Sequence, residues 1–175
     1  PDYFSRLSSK VSDVDSKDLN YIVELIQRMK ERSKKIIIAG NGGSAAMASH
    51  VAVDFTKTAG IRAINFNEAD LITCFANDFG YENWVAKALE MYADKGDLAI
   101  LISSSGQSQN MILGAKKAKE MNLDLVTLSG FSGENPLRKL GQVNLWVDSN
   151  EYNIVEMSHH IWLVALVDFV IDSKN

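Results

Sequence analysis

The sequence predicts an α/β protein, a three-layer αβα sandwich around a central, mostly parallel sheet, preceded by an N-terminal helix. Two apolar runs, Ile36–Ala39 and Leu98–Ile102, have the composition of strands that are covered on both faces. Each run ends in a loop of small or polar residues, and apolar residues at helical spacing follow each loop. Because strand and helix patterns go on alternating along the chain, a parallel sheet with helices on both faces is expected.

The N-terminal segment, about residues 1–33, is predicted to be helical. Residues 1–17 carry apolar residues three or four apart, and Asp18–Ser33 carries a clearer apolar stripe with charges away from it. After the first strand, a helix is expected from about Ala45 to Phe55. We therefore expect helices to flank the first strand on both sides in sequence.

The rest of the chain repeats the alternation. We expect a short strand at Ile61–Phe66, a helix starting at Ala69–Phe75, a turn at Asn77–Gly80 and a helix around Trp84–Tyr92. Three further elements are expected before the C-terminal helix: a strand at Leu123–Leu128, a short helix at Leu137–Leu140 and a strand at Val143–Val147.

Size and charge bound the class of protein. A chain of 175 residues that is 46% hydrophobic suits a single domain over residues 1–175, with an α/β core from about residue 34. The net charge of -4 offers no basic field for nucleic acid or an anionic membrane, so neither partner is expected. The single cysteine, Cys74, suits a reducing compartment. We expect that no apolar run reaches the length of a membrane span and that no signal peptide opens the sequence, so a cytoplasmic protein is predicted.

The C-terminal segment Ile154–Ile171 is apolar almost all round. A helix of this composition is buried on more than one side. A domain of this size has little material to cover it, so we expect a partner chain here and a homo-oligomer, either a dimer or a tetramer.

The loop after the Leu98–Ile102 strand is rich in hydroxyls. It places Ser103, Ser104, Ser105 and Ser108 where a helix begins. The N–H groups and positive dipole end of a helix N-terminus favour an anion, and short hydroxyl side chains donate to its oxygens. The loop lacks the GKS or GKT of nucleoside triphosphate loops, so a monophosphate on a small molecule is the expected guest. The alternative is that these residues only cap the helix and form the turn.

The loop after the Ile36–Ala39 strand is rich in glycine, and Gly40–Ser44 reads GNGGS. Glycines permit close approach of a ligand to the backbone. The loop lacks the third glycine of the dinucleotide fingerprint, and no acidic residue ends a clear second strand, so no nucleotide cofactor is expected. Since ligands of such sheets bind at the carboxyl ends of strands, both loops are expected to line one pocket.

Four motifs in this order resemble the sugar isomerase (SIS) domain family, and more closely its phosphoheptose isomerases: GNGGSA at Gly40, NDFG at Asn77, KGDLAILISSSGQSQN at Lys95 and VTLSG at Val126. The similarity runs from about Ile36 to Phe169. It implies a flavodoxin-like sheet and the isomerisation of sedoheptulose 7-phosphate, a sugar phosphate of heptose biosynthesis. The family also has non-catalytic members, so a sugar-phosphate-binding regulator or adaptor is the alternative.

The resemblance assigns binding residues. It implies that the phosphate is held by Ser103, Ser104, Ser105 and Ser108. The sugar end is then met by residues of the glycine loop and of the NDFG motif, namely Asn41, Gly42, Gly43, Asn77 and Asp78, with Ser44 assisting.

The resemblance also assigns chemistry. The isomerases have a histidine and a glutamate one helical turn apart, with zinc in some members, and His50 and Asp54 stand there. Near the C-terminus, Glu156 and His159 match a glutamine and a histidine, whereas Val164 stands where the family has a catalytic histidine. A zinc site of His50, Asp54 and Glu156, with His159 or His160 as a further ligand, therefore has suitable ligand types, and a site without metal is the alternative.

Isomerisation needs a base and a proton donor beside the reacting carbons. The sequence predicts Asp54 as the base, and His159 or His160 as its partner. Two alternatives stay open. His50 and Asp54 can form a surface pair without a ligand, and the two histidines can belong to the core or to an interface.

Overall fold

A computed structural model describes residues 2–173, and it has the predicted α/β class. Two N-terminal helices, α1 (Tyr3–Ser12) and α2 (Ser16–Glu31), precede β1 (Ile36–Gly40) and α3 (Gly43–Lys57). Next come the elements β2 (Ala63–Asn65), α4 (Ala69–Phe79), α5 (Trp84–Tyr92), β3 (Leu98–Ser103) and α6 (Gln109–Glu120). The last elements are β4 (Asp124–Gly130), a 3-10 turn (Leu137–Lys139), β5 (Val143–Val147) and α7 (Tyr152–Asp172).

The five strands form one parallel sheet in the order β2-β1-β3-β4-β5. This is the flavodoxin-like order, in which successive connections run in opposite directions from β1 and leave a crevice between β1 and β3. Gly40 at the end of β1 pairs with Ile102, and Ser103 follows in β3 as the partner of Ser129. The two loops predicted to bind the ligand therefore leave the sheet side by side.

Two apolar clusters cover the two faces of the sheet. One contains residues of α2, α3 and α7 against alternate strand residues such as Ile38 and Ile100, and the other contains residues of α5 and α6 against Ile37 and Leu101. The alternation is what a three-layer sandwich requires, since successive strand residues point to opposite faces. The fold prediction is thus confirmed.

The expected turn at Asn77–Gly80 is wrong for three of its four residues. Asn77, Asp78 and Phe79 form the last turn of α4, and Gly80 ends the helix at φ 86° with its N–H on the carbonyl of Ala76. The helix continues because Phe75 and Phe79 stack edge to face one turn apart, with ring centroids at 5.7 Å. Asn77 and Asp78 therefore lie on the exposed face of a helix.

Helix α7 has 21 residues, and among the described residues it is the one helix long and apolar enough to cross a membrane. The expectation that no apolar run reaches that length is therefore wrong by length and composition. Half of its most apolar stretch is buried within the chain, as in the core helix of a folded domain. Trp162 and Leu166 are among the residues that pack it into the core.

Candidate active site

The serine loop and the glycine loop line one small pocket at the β1/β3 crevice. Its volume is about 120 Å³. Six of the predicted binding residues line it, together with Ile102, Tyr152 and Glu156; the six are Asn41, Ser44, Ser103, Ser104, Ser105 and Ser108. The structure therefore brings the two predicted loops together as expected from their places in the sheet.

The serine loop is held in shape by its own hydroxyls and by Gly106. Ser103 Oγ donates to Ser108 Oγ at 3.0 Å and lies 3.4 Å from the Ser108 N–H. Gly106 has φ 66°, and a Cβ at this position would collide with the Asn135 side chain. Helix α6 begins at the next residue after Ser108, so its positive end faces the pocket.

The glycine loop places the start of α3 at the same pocket. Gly42, the residue before the helix, has φ 53°, which glycine adopts without strain. A Cβ on Gly43 would collide with the Glu156 carboxylate, so the start of α3 and this side chain of α7 lie in close contact. The pocket thus lies at the N-terminal ends of two helices, an arrangement that favours an anion.

Three residues that sequence reasoning missed tie the loops together. Asn110, buried at the start of α6, exchanges two hydrogen bonds with the Asn41 carboxamide, of 2.8 and 3.0 Å. The Tyr81 hydroxyl donates to Asn41 Oδ1 at 3.0 Å. The third is Tyr152, which lines the pocket from α7. No local pattern marks them, because each contact joins elements distant in sequence.

Asn77 and Asp78 do not line this pocket. Both side chains are exposed near the end of α4, and the Asn77 amide donates to Asp78 Oδ1 at 2.9 Å. Tyr81, which follows the NDFG segment, is hydrogen-bonded to the glycine loop at Asn41. Their role in binding stays a prediction.

A second group of titratable side chains lies between α3 and α7. His50 Nε2 is 3.2 Å from Asp54 Oδ2, and His50 Nδ1 is 2.8 Å from His160 Nε2. Burial and the neighbouring His50 lower the pKa of His160, and Asp54 partly offsets them. A continuous hydrogen-bonded chain from carboxylate to imidazole results.

Two of these residues, His50 and His160, border an open, largely apolar cleft of about 420 Å³, whereas Asp54 does not line it. His50 and His160 line it with Met157, Ile161 and Val164. Val164 therefore faces the cleft, although it carries no proton to transfer. None of the residues that line this cleft also lines the serine pocket.

His159 lies away from both cavities. It is completely buried, and its Nε2 is 3.0 Å from the carbonyl of Ser129. Burial lowers its pKa to about 4, despite the opposing effect of the Ser129 and Leu145 carbonyls. No group within residues 2–173 meets hydrogen-bond geometry at its Nδ1. Of the two histidines predicted as the proton partner, His160 is therefore the better candidate, because it borders the cleft.

The implied zinc ligands do not converge. Glu156 lines the serine pocket, whereas both ring nitrogens of His50 already face His160 and Asp54 at hydrogen-bond distance. Within residues 2–173 no group of three or more histidine, cysteine, aspartate or glutamate side chains is placed to hold a metal ion. The set as arranged does not fit a tetrahedral zinc site.

The fold and the pocket define a class of α/β protein with an anion-favouring pocket at the switch point of a parallel sheet, and comparison with known proteins identifies its family. Residues 2–130 match the SIS domain family. The chain belongs to the SIS domain family.

Its relatives within the family are phosphoheptose isomerases. The enzyme of Helicobacter pylori is 33% identical over 158 residues, which cover 87% of this chain and 82% of that protein. A probable phosphoheptose isomerase of Thermoplasma volcanium is 31% identical over 166 residues, 89% of this chain and 83% of that one. The resemblance seen in the motifs is thus confirmed over most of the chain.

Solved structures agree. The phosphoheptose isomerase GmhA of Neisseria gonorrhoeae superposes with a TM-score of 0.89 at 26% identity, covering 95% of this chain and 92% of that one. The Vibrio vulnificus NanR protein, solved with ManNAc-6P, has a TM-score of 0.75 at 21% identity, covering 97% of this chain and 60% of that one. The second likeness concerns the fold alone.

Proposed function

We propose that this chain is an aldose–ketose isomerase that acts on sedoheptulose 7-phosphate. The observation that carries the proposal is the placement of two groups along the contact between α3 and α7: the hydroxyl-lined pocket at one end and the Asp54–His50–His160 chain further along. The first suits the phosphate, and the second suits the reacting carbons. The relationship to phosphoheptose isomerases supports the same assignment.

The spacing of the two groups favours a long sugar phosphate. Ser44 lines the pocket and His50 follows six residues later in α3, which is about 9 Å along the helix axis at 1.5 Å per residue. An extended seven-carbon sugar phosphate has a comparable length, whereas a triose phosphate is too short. An extended heptose phosphate held in the pocket can therefore reach the level of His50, and Asp54 follows one turn further along α3.

The reaction requires four proton transfers, two to form the enediol and two to consume it. The Asp54 carboxylate removes a proton from carbon 1 of the ketose, and the electron pair forms the double bond between carbons 1 and 2 while the carbonyl oxygen takes a proton from His160. The enediol then loses the proton of its carbon 1 hydroxyl to His160 and accepts one at carbon 2 from Asp54, which gives the aldose. His50 bonds to both groups, so it can return the proton between them.

A sugar-phosphate-binding regulator is the second candidate. Val164, which faces the cleft, cannot transfer a proton, and the serine pocket stands apart from the cleft. A protein of this kind would bind the sugar phosphate without converting it.

We further propose a homo-oligomer with the site at subunit interfaces, in the cytoplasm. The exposed apolar side chains beside the cleft support the first part: Val53, Met157 and Ile161 are 59%, 40% and 44% exposed. The acidic net charge and the single cysteine support the second.

Steady-state turnover of sedoheptulose 7-phosphate tests the proposal, with and without added zinc. We expect Asp54→Asn and His160→Gln each to lower kcat by about 100-fold or more, the usual scale of general acid–base catalysis. The exposed Asp70 of α4 provides the matched control, Asp70→Asn, with kcat unchanged. Binding without turnover in the parent chain would favour the regulator instead.

A further inference from the structure

The serine pocket is lined by one side chain of a charged type, and that side chain is acidic although the expected ligand is an anion. Nine residues line the pocket, none is lysine or arginine, and Glu156 is the single carboxylate among them. Serine hydroxyls, the Asn41 amide and two helix N-termini can all donate to an anion. A carboxylate can only accept, so its presence calls for a reason.

Contacts hold Glu156 in this place. Its Oε1 lies 3.5 Å from the Ser104 hydroxyl, and its Oε2 rests against Gly43, where any side chain would collide with it. Gly43 is the first residue of α3, so the Glu156 carboxylate lies at the N-terminal end of that helix. Glu156 is half-buried.

Titratable neighbours of Glu156 are few. Its own helix places Tyr152 one turn before it and His160 one turn after it, and His160 belongs to the other cleft. From α3, the groups on this side are His50, about two turns beyond Ser44, and Asp54, about three turns beyond it. The serine loop contributes hydroxyls and no ionisable group.

An ionised carboxylate and a bare phosphate dianion repel each other in so small a space. A phosphate that keeps one proton removes the conflict, because its P–O–H group donates to the carboxylate in a short, charge-assisted hydrogen bond. Phosphate monoesters carry that proton at accessible pH, since their second pKa is about 6. A sulfate group of the same shape has no such proton.

We propose that Glu156 makes this pocket selective for a phosphate group that carries a proton, and that it excludes sulfate. The inference rests on the proposed function, because it takes the serine pocket to be the phosphate site. It adds the protonation state of the ligand and the residue that selects it.

Titration calorimetry with a simple monoester, methyl phosphate, and with sulfate at pH 6 and pH 8 tests the proposal. At pH 6 the parent chain is expected to bind methyl phosphate at least about tenfold more tightly than sulfate, a difference of one hydrogen bond to a charged group. At pH 8, where the ester has lost its proton, the preference should be smaller. Glu156→Gln replaces the carboxylate with an amide that can donate. Sulfate affinity then rises, and the preference falls to about threefold or less.

Glu151→Gln is the matched control. This carboxylate lies one residue before α7, pairs with Arg6 at 3.2 Å and does not line the serine pocket, so the preference for phosphate should persist. Thermal unfolding shows that each variant is folded. Equal binding of the two anions by the parent chain, binding of neither, or an unchanged preference in Glu156→Gln would overturn the proposal. If the chain converts the sugar phosphate but does not prefer phosphate to sulfate, only the role of Glu156 is refuted. If it prefers phosphate but does not convert the sugar, only the proposed reaction is refuted.

Discussion

At the residue scale, Asn41 is oriented before any ligand arrives. Its Oδ1 accepts from Asn110 and Tyr81, and one hydrogen of its Nδ2 is donated to Asn110 Oδ1. One amide hydrogen is left for the pocket. Because the Asn41 amide is already held in place, it loses little conformational freedom when a ligand binds. Asn110 and Tyr81 therefore act as positioning residues for the substrate.

Removing these supports should weaken substrate binding. Asn110→Ala frees the Asn41 carboxamide, and we expect KM for the sugar phosphate to rise about tenfold, with a smaller rise of about threefold for Tyr81→Phe, which loses one hydrogen bond. Steady-state kinetics measures both. Tyr21→Phe on α2 is the control and should leave KM unchanged. An unaltered KM in Asn110→Ala would show that the amide pair has no role in binding.

His159 should make stability depend on pH. Its pKa is about 4 in the folded chain against 6.5 for an unperturbed histidine, so below pH 6.5 the unfolded chain binds a proton that the folded chain does not. Its contribution is complete above pH 6.5 and is lost as the pH falls toward 4, by about 3 kcal/mol in all. Urea unfolding between pH 7 and pH 4.5 measures the loss. His159→Gln should unfold with a flatter pH dependence, and an equal slope in both proteins would contradict the burial of a neutral ring.

At the element scale, Ser108 is the residue at which capping of α6 can be distinguished from anion binding. It precedes the first residue of α6, yet its side chain makes no capping hydrogen bond and bonds instead to Ser103. The anion-binding role of the loop and its capping role, which are open alternatives in the sequence, can therefore be tested at one residue.

Ser108→Ala should reduce phosphate affinity about tenfold while lowering the free energy of unfolding by less than the ~1 kcal/mol typical of a lost helix cap. Calorimetry with inorganic phosphate and chemical denaturation measure the two effects. Asp15→Ala is the comparison, because Asp15 caps α2 through its carboxylate on the Lys17 N–H, far from the pocket in the chain. Asp15→Ala should lower the free energy of unfolding by about 1 kcal/mol and leave phosphate affinity unchanged. Lost stability with unchanged affinity in Ser108→Ala would mean that the loop is only a cap.

The elements show how far the sequence could predict this protein. Wholly apolar runs identify β1 and β3, because both faces of these strands are covered, and the hydroxyls and glycines after them identify the pocket. The last turn of α4 was missed because Asn77 and Asp78 have the composition of a turn. Asn110, Tyr81 and the pairing of His50 with His160 were not predictable, since they depend on how the loops and helices meet in space.

At the scale of the whole molecule, the strand order concentrates the candidate site at one end of the sheet. The opposite end is closed by a buried ion pair, in which Asp97 accepts from Lys35 Nζ at 2.6 Å and from two backbone N–H groups. The two strands that carry the binding loops, β1 and β3, are thus linked to each other at their N-terminal ends.

The apolar surface of α7 and α3 should mediate self-association. Ile161→Glu places a charge beside the cleft, and we expect the molecular mass in solution to fall to that of one chain, 19.4 kDa. Light scattering after gel filtration measures it. Met91→Glu alters a side chain that is also exposed, on α5, and should leave the assembly intact. A parent chain that is itself a monomer would refute the proposed oligomer.

The most direct test of the proposed reaction is incubation with sedoheptulose 7-phosphate in D₂O, followed by ¹H NMR of the sugar. Proton transfer through an enediol exposes the transferred hydrogen to solvent. The proposed reaction predicts formation of the aldose heptose 7-phosphate with deuterium at carbon 2, and its loss in Asp54→Asn. A sugar that binds the chain yet keeps its hydrogens and its ketose form would contradict it.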